Sequence, residues 1–454
     1  MDITPLAVLV FLLAFGGMVV IHEFGHFIVA RLCKIEVEEF GIGLPTPGAL
    51  TYWIARGYLL LKGGKWVEIP QNFRLHANWS SLVDHEARIT VDQFGNRWVM
   101  RSIEAVLVEH QQGSEASQKI IRAGDRKGAT ELVDIIAEVH PGTRFTLNWL
   151  LLGGFVRPKG ENDPNVPGGL AAANPWKRLA VLFAGPVMNL LSAVIIFSVI
   201  YIRIGVPETD RVLVSSITPG NPAAEAGFQA GDIFVSGNGQ TITSYEELRL
   251  IVDANESRPV TFVVEREGRQ IELVATPRMN QEAKRIMIGV GLATPFKPAS
   301  SWLETIPLGL RATWENTKAL ITLPFQMIKG NLSPEEGRII GPIGIYRIFE
   351  QTVAQDIRSS QAGSSASADP FDKPIRTLNL IASISISLGV FNILPFPALD
   401  GGRIIFVLPE LIFRRRVPHE RENFVHGVAM VLLLGFMAYV IVMDIINPVT
   451  LPVP

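Results

Sequence analysis

The sequence predicts a polytopic α-helical membrane protein with about four transmembrane helices, an inserted extracytoplasmic α+β domain and a cytoplasmic insertion of mixed structure. Of its 454 residues, 48% are hydrophobic and 19% are charged, a balance that is unusual for a soluble protein. Four apolar runs are long enough to cross a hydrocarbon core of about 30 Å. The net charge of -2 provides no general basic field, so the lipid bilayer is an expected partner and nucleic acid is not.

The apolar runs assign the four membrane spans to residues 1–35, 179–203, 375–403 and 425–447. The first run follows Asp2 without a basic n-region or a small-residue cleavage site, so we expect it to be retained. Most of the flanking Lys and Arg residues lie after span one, before span two and between spans three and four, which predicts that these loops are cytoplasmic. Lys373 and Arg376 lie on the opposite side. The expected location is the cell membrane, inner or plasma.

The first long loop predicts a cytoplasmic insertion over residues 36–148. Within it, Ala87–Met100 alternates around Phe94-Gly95-Asn96 as a β-hairpin does, and Ala129–Val139 has apolar residues at helical spacing. The remaining residues before span two, 149–178, are interpreted as a membrane-associated β-hairpin and link. The histidines of the insertion lack metal-ligand spacing: His76, His85, His110 and His140.

The second long loop predicts a small α+β domain over residues 208–280, with four short β runs and a helix near Tyr245–Val252. The run Pro219–Phe228, followed by Gly231-Asp232 and Asn238-Gly239, resembles the bacterial PDZ domain, although a typical carboxylate-binding Gly-Leu-Gly-Phe loop is absent. An unrelated small β-rich module is the alternative.

Two further segments connect this domain to span three. Residues 299–350 predict interfacial helices, because Trp302, Ile306, Leu310 and Trp314 recur at four-residue steps among charged residues. Residues 353–373, rich in Ser and Ala, predict a flexible linker.

Span one contains the motif His22-Glu23-Phe24-Gly25-His26. Residues four apart share one face of a helix, so both imidazoles can bind one Zn²⁺ while Glu23 lies close enough to activate water. Ionisable side chains are costly inside an apolar span and usually functional there. The alternative is a set of helix-end residues that form hydrogen bonds near the membrane interface.

A catalytic zinc site normally takes three protein ligands, so a third ligand must come from elsewhere. At the end of span three, residues 392–401 read Asn-Ile-Leu-Pro-Phe-Pro-Ala-Leu-Asp-Gly, and the two prolines must interrupt a regular helix. Asp400 is the predicted third ligand, since the orientation brings it to the same depth as His22 and His26. The alternative for Asp400 is an interfacial carboxylate that ends a helix before two glycines.

Four motifs in order resemble those of the site-2 protease family, also called M50, in its bacterial PDZ-containing type. These are His22–His26, Leu152–Arg157, Phe183–Asn189 and Asn392–Gly401. Residues 44–148 depart from the family, whose members mostly join the flanking blocks by a much shorter link.

The resemblance implies a zinc metalloendopeptidase that hydrolyses peptide bonds within transmembrane segments, in regulated intramembrane proteolysis. Its substrates would be single-pass or signal-peptide-like transmembrane proteins, such as anti-sigma factors. It implies Glu23 as the catalytic general base, a hairpin at Gly153, Gly154, Phe155 and Val156 that pairs with the substrate as an added strand, and Asn189 and Asn392 as holders of the extended substrate backbone. The PDZ-like domain would restrict access by large outer domains.

Two other classes of protein are weighed against the protease. In a non-enzymatic membrane scaffold, the PDZ-like domain would bind partners and the polar residues within spans would join helices. In a transporter or metal permease, His22 and Asp400 would line an ion path between broken helices. The intact set His22, Glu23, His26 and Asp400 argues against the scaffold, and the lack of an internal repeat of spans argues against the transporter.

Overall fold

The computed structural model describes residues 4–75, 79–95, 97–109, 117–124, 130–161, 163–280, 284–330, 339–361 and 373–448. The helices in this part of the chain are α1 Thr4–Leu32, α2 Pro175–Ile204, α3 Pro222–Ala226, α4 Tyr245–Ala254, α5 Trp302–Ile328, α6 Pro342–Gln361, α7 Arg376–Ile393, α8 Asp400–Phe413 and α9 His419–Ile446.

The strands before α2 are β1 Val37–Leu44, β2 Leu50–Ile54, β3 Gly57–Leu61, β4 Trp66–Ile69, β5 Glu86–Phe94, β6 Arg97–Glu109, β7 Ser117–Gly124, β8 Thr130–His140, β9 Arg144–Leu147 and β10 Leu150–Pro158. Those after α2 are β11 Val206–Pro207, β12 Val212–Ile217, β13 Ile233–Gly237, β14 Gln240–Thr241, β15 Val260–Arg266, β16 Arg269–Ala275, β17 Arg278–Asn280, β18 Arg285–Met287, β19 Val290–Ala293 and β20 Phe296–Lys297.

Four helices in the described part of the chain, α1, α2, α7 and α9, are long and apolar enough to cross a membrane, which agrees with the four predicted spans. The central helix is α2, which packs against α1, α5, α7 and α8. Ala193, Phe197 and Ile200 of α2 are buried in one apolar cluster with Ala382 and Ile386 of α7. This helix core carries the elements that build the site.

The third predicted span, 375–403, is divided in the structure. Helix α7 ends at Ile393, residues 394–399 follow without regular helix, and Asp400 begins α8. Pro395 and Pro397 explain the break, because proline lacks an N–H and disfavours helical geometry in the residue before it. The alternative reading of Asp400 as a carboxylate that ends a helix is therefore wrong.

The first insertion contains a six-stranded sheet in the order β4-β3-β8-β5-β6-β7. A further pairing between β4 and β6 closes the first five of these strands into a small barrel, and β7 pairs with β6 beside it. Strands β5 and β6 confirm the predicted hairpin. The predicted helix over Ala129–Val139 is wrong, since residues 130–140 form β8 between β3 and β5. A register shift opposite Leu60 and Leu61 changes which side chains face inward, so Ile136 and Val139 are both buried and imitate helical spacing.

The boundary predicted at residue 148 is also wrong. Strands β1, β2 and β9, all within 36–148, join β10 in a separate four-stranded sheet with the order β10-β1-β9-β2. Phe40, Gly41 and Ile42 of β1 lie opposite Val156, Phe155 and Gly154 of β10 in antiparallel register. The predicted hairpin is thus a pair of strands that the barrel separates in sequence. His76 and His110 lie outside the described residues.

The second insertion contains the predicted α+β domain, but its predicted end at residue 280 is too early, because β19 at Val290–Ala293 belongs to its main sheet. Its main sheet has the order β16-β15-β13-β12-β19, and α4 covers residues 245–254 as expected. The rings of Phe228, Phe234 and Phe262 contact one another in its core.

Helix α5 forms the first part of the segment that is predicted to be interfacial. Its buried face carries the small or polar residues Thr305, Gly309, Thr313 and Thr317, and Gly309 packs on α2 at Ser198. Trp302, Leu310 and Trp314 are exposed on the outside. The predicted linker begins too early, because α6 continues to Gln361. Residues 362–372 lie outside the described part of the chain.

Candidate metal centre

Helix α1 carries His22, Glu23 and His26, and its close approach to α2 buries both imidazoles. Gly25 makes this approach possible, because a Cβ at that position would lie 2.5 Å from the Ala184 carbonyl oxygen of α2. The HExxH motif therefore faces α2 within the helix core. Glycine at the fourth position of the motif is a packing requirement of this fold.

The structure brings together the three predicted ligands. Nε2 of His22 lies 3.0 Å from Oδ2 of Asp400, Nε2 of His26 lies 3.3 Å from the same oxygen, and the two Nε2 atoms are 3.2 Å apart. No other group of His, Cys, Asp and Glu residues in the described part of the chain is close enough to hold a metal ion. The spacing of four residues along α1 determines the positions of the two imidazoles, and the start of α8 determines the position of the Asp400 carboxylate.

The second nitrogen of each imidazole has a partner on α2. His26 Nδ1 donates to the Val181 carbonyl oxygen at 2.7 Å, which leaves Nε2 unprotonated and free to bind a metal. The side-chain amide of Asn189 lies 3.2 Å from His22 Nδ1, and its other polar atom, Oδ1, is buried with no partner among the residues that the structure describes. With the amide turned so that Oδ1 accepts from Nδ1–H, Nε2 of His22 is free as well.

Gly185 of α2 provides the space beside the donor atoms. A Cβ at this position would lie 2.4 Å from His26 Nε2 and 2.6 Å from His22 Nε2. Any larger residue would enter the place where the two nitrogens converge. The glycine lies within the Phe183–Asn189 motif, but sequence reasoning assigned it no role.

Glu23 reaches the edge strand of the four-stranded sheet. Its Oε2 accepts the backbone N–H of Val156 in β10 at 3.1 Å, and among the described strands β10 pairs with β1 alone. The strand lies along α1, where Cβ atoms at Gly153 and Gly154 would contact Val19 and Val20. The predicted hairpin residues 153–156 therefore lie beside the HExxH helix, with the carboxylate at their end.

The two asparagines have different surroundings. Asn189 is fully buried, and its amide contacts His22, so it is placed to orient a metal ligand. The Asn392 amide donates to the Leu388 carbonyl oxygen of its own helix at 2.9 Å. In this conformation the two side chains are not brought together at the edge of β10.

A membrane metalloprotease is the class of protein that the four apolar helices and the candidate ligand set indicate, and comparisons with known proteins identify the family. The sequence model described as "Peptidase family M50" matches residues 10–56 and 132–436. The chain belongs to peptidase family M50, and the predicted enzyme class, a zinc metalloprotease, is confirmed. The unmatched residues 57–131 cover most of the barrel.

Full-length relatives carry corresponding names. The chain is 29% identical over 456 residues to "Zinc metalloprotease RasP" of Oceanobacillus iheyensis, covering 96% of this chain and 98% of the relative. It is 26% identical over 463 residues to "Probable protease eep" of Enterococcus faecalis, covering 97% of each. It is 25% identical over 444 residues to "Regulator of sigma-W protease RasP" of Bacillus subtilis, covering 94% and 96%.

Solved PDZ domains are similar to part of the chain. The PDZ domain of an SdrC-like protein from Listeria monocytogenes is 20% identical and covers 18% of this chain and 88% of that chain, with a TM-score of 0.18. This score is too low to carry an argument about the fold. The resemblance of residues 208–280 to PDZ domains therefore rests on their sequence motif.

Proposed function

We propose that this protein is an intramembrane endopeptidase that uses Zn²⁺ held by His22, His26 and Asp400 to hydrolyse peptide bonds in transmembrane segments of membrane proteins. The observation that carries the proposal is the convergence of three donor atoms beside Glu23, at the end of an edge strand. The names of the relatives add support, since they describe a zinc metalloprotease and a regulator of sigma-W protease.

The donor atoms fit zinc. Ligand bonds of about 2.0–2.2 Å in a tetrahedral site place neighbouring donors about 3.3–3.6 Å apart, and the three atoms lie 3.0 to 3.3 Å from one another. Partners on α2 fix the outer nitrogens of both histidines, as is usual for metal-binding imidazoles. When bound, zinc would supply a Lewis acid that polarises the scissile carbonyl and makes water a stronger nucleophile near neutral pH.

Glu23 is the proposed proton carrier. A carboxylate next to the ligand set can take a proton from the attacking water and return it to the leaving amine. Its hydrogen bond to Val156 N–H holds the carboxylate at the end of β10. The same bond ties the position of the base to the position of the strand.

The free edge of β10 is the proposed substrate site. A transmembrane helix satisfies its backbone hydrogen bonds internally, so it must unwind before a carbonyl can be attacked. Pairing with residues 153–156 would replace the lost hydrogen bonds and bring an extended segment toward Glu23. Asn189 and Asn392 stay as weaker proposals for backbone contacts, because one is buried and the other bonds to its own helix.

The proposed orientation places the metal centre toward the cytoplasmic side of the cell membrane and the PDZ-like domain outside. The distribution of Lys and Arg around the spans supports this arrangement. An outer domain that limits access would favour single-pass or signal-peptide-like substrates with small outer parts. An anti-sigma factor would be one such substrate, in keeping with the name of the Bacillus subtilis relative.

The test is zinc content and cleavage of a reporter transmembrane helix by the purified full-length protein in detergent. We expect the wild type to bind zinc and cut, Glu23→Gln to bind zinc without cutting, and Asp400→Ala to lose or weaken zinc binding. Cleavage by Glu23→Gln at the wild-type rate would refute the role of the base.

A matched control variant distinguishes an effect on the metal centre from a general effect of removing a carboxylate. Asp253→Asn exchanges an exposed carboxylate on α4, far from α1 in sequence and in another domain. It should leave zinc binding and cleavage at the wild-type level. If the wild type binds no zinc, or cleaves a soluble peptide but no membrane-embedded one, the intramembrane function is wrong.

A further inference from the structure

The turn that presents Asp400 is strained. Ala398, two residues before the proposed ligand, has φ of 79°, a left-handed conformation that side chains other than glycine rarely adopt. The turn is also tightly packed against the start of α8. A Cβ at Gly401 would lie 2.1 Å from the Leu394 carbonyl oxygen, and one at Gly402 would lie 2.5 Å from that of Phe396.

One side chain from another helix holds this turn. The N–H of Ala398 donates to Nδ1 of His426, on α9, at 2.9 Å. The ring of His426 also packs against Phe406 of α8, with ring centroids 5.4 Å apart. His426 therefore links the strained residue, the helix that Asp400 begins and the last membrane helix.

The hydrogen bond specifies the form of the imidazole. Nδ1 can accept only if it is unprotonated, which places the proton of a neutral ring on Nε2. Nε2 is buried and has no partner among the described residues. A buried donor without an acceptor is costly. The hydrogen bond that Nδ1 accepts from Ala398 N–H is therefore the interaction that explains the position of the His426 ring.

Helix α9 is less buried than α2. The most apolar window of α9 is 17% buried, whereas that of α2 is 50% buried. Near its other end, Asp444 accepts the backbone N–H groups of Gly341 and Gly344 before and within α6. The contact at His426 is thus a specific one on a helix that mostly faces outward.

We infer that His426 is a positioning residue for the metal centre, which holds Ala398 in its left-handed conformation and thereby keeps Asp400 in line with His22 and His26. The inference rests on the proposed function, since it concerns the third ligand of that centre. Loss of a group that is hydrogen-bonded directly to a metal ligand typically changes metal affinity or activity by about 10- to 100-fold, and we expect the lower end of that range for His426, which acts through the turn.

The test is zinc affinity of the full-length protein in detergent, measured by competition with a chromogenic chelator, together with kcat and KM for the reporter helix. His426→Leu removes the acceptor and should weaken zinc binding by about tenfold or more. His426→Asn keeps an acceptor oxygen near the position of Nδ1 and should stay within about threefold of the wild type. Asn423→Ala, an exposed change one turn earlier on α9, is the control.

A second-site variant separates positioning from general loss of structure. Glycine adopts positive φ without the penalty of a Cβ, so Ala398→Gly should restore most of the zinc affinity when combined with His426→Leu. A purely structural defect in α9 would not be repaired by that change. Equal zinc binding by His426→Leu and the wild type, or a double variant as weak as His426→Leu alone, would overturn the inference.

Asp400→Ala is measured in parallel to distinguish the two proposals. If it binds zinc as tightly as the wild type, the proposed centre is wrong and the inference falls with it. If Asp400→Ala weakens zinc binding and His426→Leu does not, only the inference about His426 fails. Should His426→Leu not fold, His426→Asn decides, because a loss of zinc affinity in that variant contradicts the role of the acceptor.

Discussion

Gly185→Ala is the substitution with the sharpest expected effect on the metal centre. The new Cβ would lie 2.4 Å from His26 Nε2 and 2.6 Å from His22 Nε2, about 1 Å inside ordinary contact. Relief requires one imidazole to move by a similar distance, whereas metal–ligand distances vary by only about 0.2 Å. We therefore expect zinc affinity to fall at least 100-fold, about 2.7 kcal/mol.

The helix itself should tolerate this change, since alanine favours helix over glycine by about 1 kcal/mol. The assay is zinc competition in detergent, with helical content followed by circular dichroism and activity by the reporter helix. Gly17→Ala on α1 and Gly435→Ala on α9 are matched controls, because a Cβ at either position meets nothing within 4 Å. Wild-type zinc affinity in Gly185→Ala would refute the geometry of the centre.

Three other predictions concern strand β10 and the α+β domain. Gly153→Ala adds a Cβ at φ of 88° and 2.9 Å from Val19, so reporter cleavage should fall about tenfold with zinc content unchanged; equal cleavage would contradict the role of β10. Phe262 is fully buried in the core of the α+β domain, so Phe262→Ala should lower the free energy of unfolding of that domain by about 3–5 kcal/mol in urea, without loss of zinc. Hydrogen bonds from Thr243 lower the pKa of Glu247, so its stabilisation of α4 is complete above the ordinary glutamate pKa of about 4.3 and is lost as pH falls through the lowered value. Acid unfolding of Glu247→Gln should lack that component, and an unchanged acid profile would refute the assignment.

The sequence predicts that His22, His26 and Asp400 lie together, because the chemistry of metal ligands is local and restrictive. Helical spacing places His22 and His26 on one face of the helix. Few residue types can act as a third zinc ligand, and Asp400 is one of them at the point where the third span is interrupted. The four spans follow from length and hydropathy in the same way. These features need no knowledge of the packing partners.

Other parts of the site depend on partners that carry no signal in sequence. The Val181 carbonyl orients His26 through a backbone atom, which any residue would supply. Gly185 acts by lacking a side chain. Asn189 was predicted from family resemblance to contact substrate, but its burial against His22 follows from how α1 and α2 pack. Strand β8 was predicted as a helix for the same reason. Its irregular pairing with β3 buries apolar residues at a spacing that resembles that of a helix.

The barrel is attached to the four-stranded sheet at a narrow neck. Strands β2 and β9 pair antiparallel, and at their end Ala55 N–H donates to the Thr143 carbonyl oxygen at 2.9 Å, so the chain enters and leaves the barrel at one point. Closing a flexible loop of roughly 90 residues costs about 4 kcal/mol of chain entropy. A barrel that folds first would remove most of that cost before β1 and β10 meet. The stability of the barrel would then govern how quickly a newly made chain brings β10 to Glu23, although the barrel supplies neither the proposed metal ligands nor the proposed base.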